Sequence, residues 1–325
     1  MPHSAASVAE IAEVGASTFA SDVRAGLTAS PKTMPARWLY DAIGSALFEA
    51  ICLLPWYPIT RAETAMLERI APEVARLLPS VADVVELGPG SGEKLARLMA
   101  PFAERQDSLT AHLVDVSADA LDAAERTLSR LPRVRVVRHN APFEAGLRHA
   151  ASSPRRGGRL VAFLGSNIGN FDPGPAEALL SEIADALEPG DALLLGADLV
   201  KPEAVLRLAY DDPLGVTAAF NRNLLSRMNR ELGADFDLGR FRHRMRWDAA
   251  ASRVEMHLVS ITAQQVRIPG AGLTVDFARG ETIWTESSHK YDLTALQGMG
   301  LATGLRVVGQ WTDDEARFAL TLFQR

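Results

Sequence analysis

Asp83-Val-Val-Glu-Leu87 runs directly into Gly88-Pro-Gly-Ser-Gly92, and residues 93–103 then take helical spacing. Strand, glycine cluster, helix is the context in which a glycine motif carries meaning. The alternation continues outward from it. Residues 111–116 predict a second strand followed by a helix from near Ser117, and 134–138 a third strand. Residues 159–164 predict a fourth, leading into Gly165-Ser-Asn-Ile-Gly-Asn-Phe-Asp-Pro173, with Pro175 in the first turn of the next helix. Residues 191–195 predict a fifth. Strands alternating with helices at this spacing indicate an α/β fold with a parallel sheet covered on both faces.

Beyond Val200 the pattern changes. Spacing predicts one long helix over about 202–232, then strands over 241–247, 254–261 and 265–268. Residues 305–311 and 317–323, joined by Thr312-Asp-Asp-Glu315, predict an antiparallel pair closing the sheet. The expected division is therefore a doubly wound core of 82–200 and 303–325. The flanking blocks, 1–81 and 201–302, are expected to meet as a second, discontinuous α+β domain over the sheet's carboxyl edge. Thr60-Arg-Ala-Glu63 has capping-box spacing and is read as a helix start.

Composition narrows the partners. The chain has 325 residues, 47% hydrophobic and 23% charged, with a net charge of −6, a pI near 5.7 and a mean hydropathy of +0.02. Such a balance argues against broad electrostatic binding to nucleic acid or anionic lipid. No apolar stretch reaches spanning length; the richest, 192–200, is interrupted by Gly196 and Asp198. MPHSAASVAEIAEVG lacks a basic n-region and an apolar h-region, so a cytoplasmic protein is expected. Nothing requires a partner subunit, and a monomer is expected. The single cysteine, Cys52, excludes an intrachain disulfide framework and is read as packing. Lysine occurs only at positions 32, 94, 201 and 290, read as compositional bias. The seven histidines contain no His-x-x-x-His pair, so no metal is expected.

The glycine loop separates ligand classes. A dinucleotide fingerprint requires glycine where Glu93 stands, and a carboxylate there opposes a pyrophosphate at the helix end. A P-loop starting at Gly88 fails at Glu93 and Leu95. S-adenosylmethionine (SAM), which carries no phosphate, fits better. Asp115, ending the second strand, is placed to accept from ribose hydroxyls, and Lys94 to pair with the methionyl carboxylate. Taken singly, each has a plainer reading: Asp115 as a cap of the next helix, Lys94 as a solvated side chain.

Six blocks then point to a family. They are Met34-Pro-Ala-Arg-Trp-Leu-Tyr-Asp-Ala-Ile-Gly-Ser-Ala-Leu-Phe48, Tyr57 with Thr60-Arg-Ala-Glu63, and Val85-Glu-Leu-Gly-Pro-Gly-Ser-Gly-Glu-Lys94. The others are Phe163-Leu-Gly-Ser-Asn-Ile-Gly-Asn170, the stretch from Tyr210-Asp-Asp-Pro to Asn223, and Thr285-Glu-Ser-Ser-His-Lys-Tyr291. From about Arg24 onward the chain resembles the SAM-dependent histidine Nα-methyltransferases of ergothioneine biosynthesis. The resemblance implies a Rossmann-like class I SAM-dependent methyltransferase sheet with a substrate-recognition domain. It implies three successive methyl transfers to L-histidine, through mono- and dimethyl intermediates, giving hercynine and S-adenosylhomocysteine.

It also implies residue roles. Tyr57, Asn170 and Tyr210 would hold the α-amino and α-carboxylate groups; Glu286 and Ser288 would hold the imidazole, with Met256 against the ring. Tyr40, Phe48 and Gly165 match positions near the amine and the transfer path. Glu86, Gly88, Gly90, Lys94, Asp115 and Asn140 match the cofactor site. The chain departs from the family in His139-Asn-Ala-Pro-Phe143, where an acidic residue followed by Phe is usual, at Asn167 for threonine, and at His289 for cysteine. Trp56 and Trp284 stand beside site positions. Two rival functions remain: N-methylation of tryptophan or another aromatic amino acid, and SAM binding without catalysis as a regulator. A nicotinamide oxidoreductase is disfavoured by Glu93.

Overall fold

The computed structural model describes the backbone of residues 8–325 and side chains from Thr18. Residues 1–7 of the leading stretch read above for a signal, His3 among them, lie outside the described residues. The chain divides into two compact units.

The larger unit comprises Tyr57–Pro202, Ala250–Ser252 and Ser288–Arg325. Its sheet has seven strands: β1 (Val81–Leu87), β2 (Leu109–Asp115), β3 (Val134–Asn140), β4 (Gly158–Phe163), β5 (Ala192–Asp198), β6 (Arg306–Asp313) and β7 (Phe318–Gln324). Their spatial order is β6-β7-β5-β4-β1-β2-β3. β1 to β5 are parallel, while β7 runs antiparallel to both β5 and β6. This is the expected Rossmann-like, doubly wound sheet, closed by the expected antiparallel pair. The strand order reverses between β1 and β4, so their carboxyl ends flank the crevice where such sheets bind ligands. The central strands are buried on both faces, which is why β5 reads as the continuous run Ala-Leu-Leu-Leu-Gly-Ala-Asp.

The smaller unit comprises the described residues up to Trp56, Glu203–Ala249 and Arg253–Ser287. A four-stranded sheet orders Lys32–Thr33, Thr282–His289, Arg253–Ser260 and Phe241–Asp248. A hairpin-like pair, Gln264–Ile268 and Leu273–Phe277, lies apart from it. Helix Val216–Leu232 packs on helix Ala42–Leu53. Asp41 locks that contact: its carboxylate accepts from Gly44 N at the helix start and from Asn223 Nδ2, both at 2.7 Å.

Four expectations need correction. The long helix of 202–232 is two, Glu203–Tyr210 and Val216–Leu232. Pro213 and the left-handed Gly215 (φ +73°) break it, and Asp212 accepts the new amides of Val216 and Thr217. The capping box does not form, because helix Ile59–Leu77 starts at Pro58 and Thr60 already lies inside it. The unit boundary also moves: helix Ile59–Leu77 and residues 288–302 belong with the large sheet. Finally, the four lysines are not compositional residue. Each makes an ion pair, with Glu281, Glu63, Asp198 and Asp198 in chain order.

A histidine pair crosses the outer strands. His112 on β2 lies with its Nδ1 3.0 Å from Nε2 of His139 on β3, the rings nearly parallel. Partial burial, with His112 and His149 close by, lowers the pKa of His139 to about 4. The unfolded chain therefore binds this proton at higher pH than the folded one, and the folded state is favoured above the unfolded pKa of about 6.5. Stability should fall as pH drops from about 6.5 toward 4. Urea denaturation across that range should show a shallower fall for His139→Gln.

Candidate active site

In the larger unit, the loops after β1 and β4 meet. Gly88, Gly90 and Gly92 all take positive φ, at +75°, +55° and +77°. A Cβ on Gly88 would lie 2.9 Å from Asn167 Nδ2, and one on Gly92 would lie 2.8 Å from Ala124 Cα. Those two glycines permit close packing. A Cβ on Gly90 meets nothing within 4 Å, so its backbone faces open space, as a ligand cradle requires.

The acids around this cradle are distinct in state. Glu86 is fully buried, and neither carboxylate oxygen has a hydrogen-bond partner. Burial pushes its pKa well above the carboxylate range, so it is a buried group awaiting a partner. Asp115 accepts from Ser117 N at 2.8 Å, and burial raises its pKa too. The helix after it is capped by Ser117, not by Asp115. Asn140 Nδ2 donates to the carbonyls of Asp115 and Val116, at 3.1 and 3.0 Å, and so braces that loop. Glu93, the residue that argues against phosphate, pairs instead with Arg97 at 2.8 Å. Orphaned Glu86, the open Gly90 backbone and Asp115 at the second strand end together fit an adenosyl amino acid.

Glu63 was missed as a site residue. Its carboxylate is fully buried; it accepts from Lys94 Nζ at 2.7 Å and from Gly165 N at 2.8 Å. A Cβ on Gly196 would lie 2.1 Å from Glu63 Oε1. A lone glycine inside an apolar strand signals such a close approach. Gly165 itself sits at φ +74°, and Ser166 beside it accepts from Asp198 N at 2.9 Å. Asn170 ends the short 3-10 turn Asn167–Asn170, and Tyr57 is buried just before helix Ile59–Leu77. Ser288 accepts from Lys290 Nζ at 2.9 Å.

In the smaller unit, Tyr40, Phe48 and Phe220 form an aromatic cluster with centroids 5.3 to 6.0 Å apart. Tyr40 Oη donates to Glu286 Oε1 at 3.3 Å. Burial, then the neighbouring Glu286 charge, pushes the Tyr40 hydroxyl well above its ordinary pKa, so it stays a donor. A further network, not foreseen, ties Tyr210 to the Glu286 strand. The Tyr210 carbonyl accepts from His243 Nε2 at 2.8 Å, and His243 Nδ1 accepts from Asn221 Nδ2 at 2.9 Å. Asn221 Oδ1 accepts from Thr285 Oγ1 at 2.7 Å. The amide can only donate through Nδ2, which fixes His243 as the neutral Nε2–H tautomer. Met256 is buried on the neighbouring strand, and its carbonyl lies 2.9 Å from Thr285 Oγ1, sharing that hydroxyl's one proton with Asn221 Oδ1.

Tyr40, Phe48, Tyr210, Met256 and Glu286 thus lie in the smaller unit. Tyr57, Asn170, Gly165, Ser288 and every expected cofactor residue lie in the larger one.

Comparison with known proteins bears on the chemistry. Residues 19–325 match the family described as histidine-specific methyltransferase, SAM-dependent. The chain is 44% identical over 318 residues to the histidine N-alpha-methyltransferase of Mycolicibacterium smegmatis, covering 97% of each chain. It is 43% identical over 301 residues to the protein of that name from Mycobacterium tuberculosis, covering 93% of each. Ergothioneine biosynthesis protein 1 of Neurospora crassa is 31% identical over 208 residues, 62% of this chain and 23% of that one.

The Glu63 niche makes a prediction about coupling. Glu63→Ala and Gly196→Ala should each destabilise by about 1–3 kcal/mol, one by orphaning Lys94 and the Gly165 amide, the other by displacing the carboxylate. In urea denaturation the double variant should lose less than the sum, because the added methyl then fills the vacated space. Strict additivity would contradict the niche.

Proposed function

This chain belongs to the family of histidine-specific, SAM-dependent methyltransferases, and we propose that it trimethylates the α-amino nitrogen of L-histidine to hercynine. That reaction is the first step of ergothioneine biosynthesis. The observation that carries the proposal is the 44% identity extending over 97% of both chains. We place the reaction in the cytoplasm, with the enzyme a monomer acting on small molecules alone.

SAM, when bound, supplies a methyl carbon made electrophilic by its sulfonium and leaves as S-adenosylhomocysteine. Glu86, Gly88, Gly90, Lys94, Asp115 and Asn140 would hold it. The remaining work of the protein is positioning, since bringing two reactants into line removes much of the entropic barrier. Tyr57, Asn170 and Tyr210 would grip the substrate's amine and carboxylate. Their groups are neutral hydroxyl and amide, so they orient the amine without a fixed negative charge that would keep it protonated. Gly165, which has no side chain, leaves space beside the transfer path.

The strand Thr282–His289 and its neighbour Arg253–Ser260 would read the side chain. Glu286 accepts an imidazole N–H, Ser288 serves the other ring nitrogen, and Met256 lies against the ring. The buried Tyr40 hydroxyl, already bonded to Glu286, keeps that carboxylate in one orientation. Tyr40 and Phe48 offer aromatic faces to the trimethylammonium product, worth about 0.5–2 kcal/mol of cation–π attraction. Intermediates would then stay bound between transfers. An indole ring offers one N–H and no acceptor nitrogen, so a site that engages both imidazole nitrogens, through Glu286 and Ser288, disfavours it.

Incubation with SAM and single amino acids, followed by product mass, tests the proposal. Histidine bearing three added methyl groups is expected; methylation of tryptophan in preference, or of nothing, would overturn it. In titration calorimetry, Glu286→Ala should weaken histidine at least about tenfold, the loss of one charged hydrogen bond, with S-adenosylhomocysteine affinity unchanged. Equal loss of both would make Glu286 structural.

A further inference from the structure

The turn that carries Asn170 is held by a residue that no part of the methyl transfer described so far uses. Among the described residues, none hydrogen-bonds the Asn170 side-chain amide, so its place is set by the turn Asn167–Asn170 itself. That turn closes through the Ile168 carbonyl, which accepts from Phe171 N at 3.3 Å and so encloses Asn170. The same carbonyl accepts from the Tyr291 hydroxyl at 3.2 Å. Burial pushes that hydroxyl up to a pKa of about 12, so it is protonated and donates. A carbonyl oxygen has two lone pairs, and here one acceptor serves both donors.

Tyr291 is anchored to the large sheet. Its N–H donates to the Asp198 carbonyl at 3.0 Å, and its own carbonyl accepts from Val200 N at 2.9 Å. Ser166 Oγ, just before the turn, accepts from Asp198 N at 2.9 Å. Two routes therefore strap the turn to the carboxyl end of β5. Beyond the turn, His289 Nε2 lies 3.2 Å from Asp172 Oδ1. Packing restrains the turn on one side: a Cβ on Gly169 would lie 2.7 Å from the His289 carbonyl oxygen. Phe171, which follows Asn170 directly, borders a cavity of about 90 Å³ together with Ala176, Tyr291 and Met299. A turn released from Tyr291 has room to shift there.

We propose that Tyr291 is a positioning residue: its hydroxyl holds the turn so that the Asn170 amide meets the amino-acid end of the substrate. The inference rests on the reading of Asn170 as a substrate contact, and adds what sets its place. Removing the hydroxyl leaves the Ile168 carbonyl bonded to Phe171 N. The turn then stays closed but loses its anchor, which separates positioning from folding.

The test is titration calorimetry of L-histidine against the full-length protein saturated with S-adenosylhomocysteine, using Tyr291→Phe, Asn170→Ala and the double variant. Tyr291→Phe should weaken histidine about fivefold, the scale of one neutral hydrogen bond, and leave S-adenosylhomocysteine affinity within about twofold. Asn170→Ala should weaken histidine at least as much. Adding Tyr291→Phe to it should cost less than about twofold further, because a residue acting through Asn170 has nothing left to position. Unchanged histidine affinity in Tyr291→Phe, additive losses, or equal loss of both ligands would overturn the proposal. Failure of Tyr291→Phe to fold would also overturn it, by making the hydroxyl structural. Unchanged histidine affinity in Asn170→Ala would instead remove Asn170 from the substrate site, and this inference with it.

Discussion

The carboxylate of Glu63 is the constraint on which the larger unit's site depends. A fully buried anion is costly unless it is paired and hydrogen-bonded, and here it is both. Lys94 brings in the helix after the glycine loop, while the Gly165 amide brings in the loop after β4. Gly196 provides the missing volume on β5. One side chain, from a helix lying before the sheet in sequence, therefore fixes the two loops that flank the point of strand reversal. It also explains the state of Lys94. The ammonium already has a buried anion, so a methionyl carboxylate would meet an ion pair and not an isolated cation.

The smaller unit is organised by a comparable economy of polar contacts. Asn221 spends its amide on His243 and the His257 carbonyl and its oxygen on Thr285. His243 in turn holds the Tyr210 carbonyl. A tyrosine on one helix and a glutamate on a sheet strand are thereby set by residues that need not touch a ligand. Apart from the Thr285 proton, shared between Asn221 and the Met256 carbonyl, each donor and acceptor in this chain has a fixed sense, which is what rigidifies a buried polar network.

The doubly wound core was legible because each strand is short, apolar and bounded by turn signals. Val81–Leu87 and its glycine loop were read almost to the residue. The break within 202–232 was hidden because both helices carry the same apolar spacing, although Pro213 and Gly215 stood in plain view. The mistaken capping box at Thr60 shows the converse: correct spacing, but one turn inside a helix begun by Pro58. The residues proposed to face the ligands rest on the resemblance. Those behind them, Glu63, Asn221, His243 and Lys290, were not read, because a buried ion pair or amide network depends on partners distant in sequence. Two local signals did exist. Gly196 interrupts an apolar strand, and lysine is retained at four positions in a chain whose other basic residues are arginine.

The central claim concerns one nitrogen atom: the α-amine, not the ring, receives the methyl groups. Nuclear magnetic resonance of the product made from L-histidine and SAM labelled with carbon-13 in its methyl group addresses that directly. The account predicts a single labelled resonance from three equivalent methyls, with a long-range correlation to the histidine Cα proton. A labelled methyl correlating with the imidazole protons would contradict it.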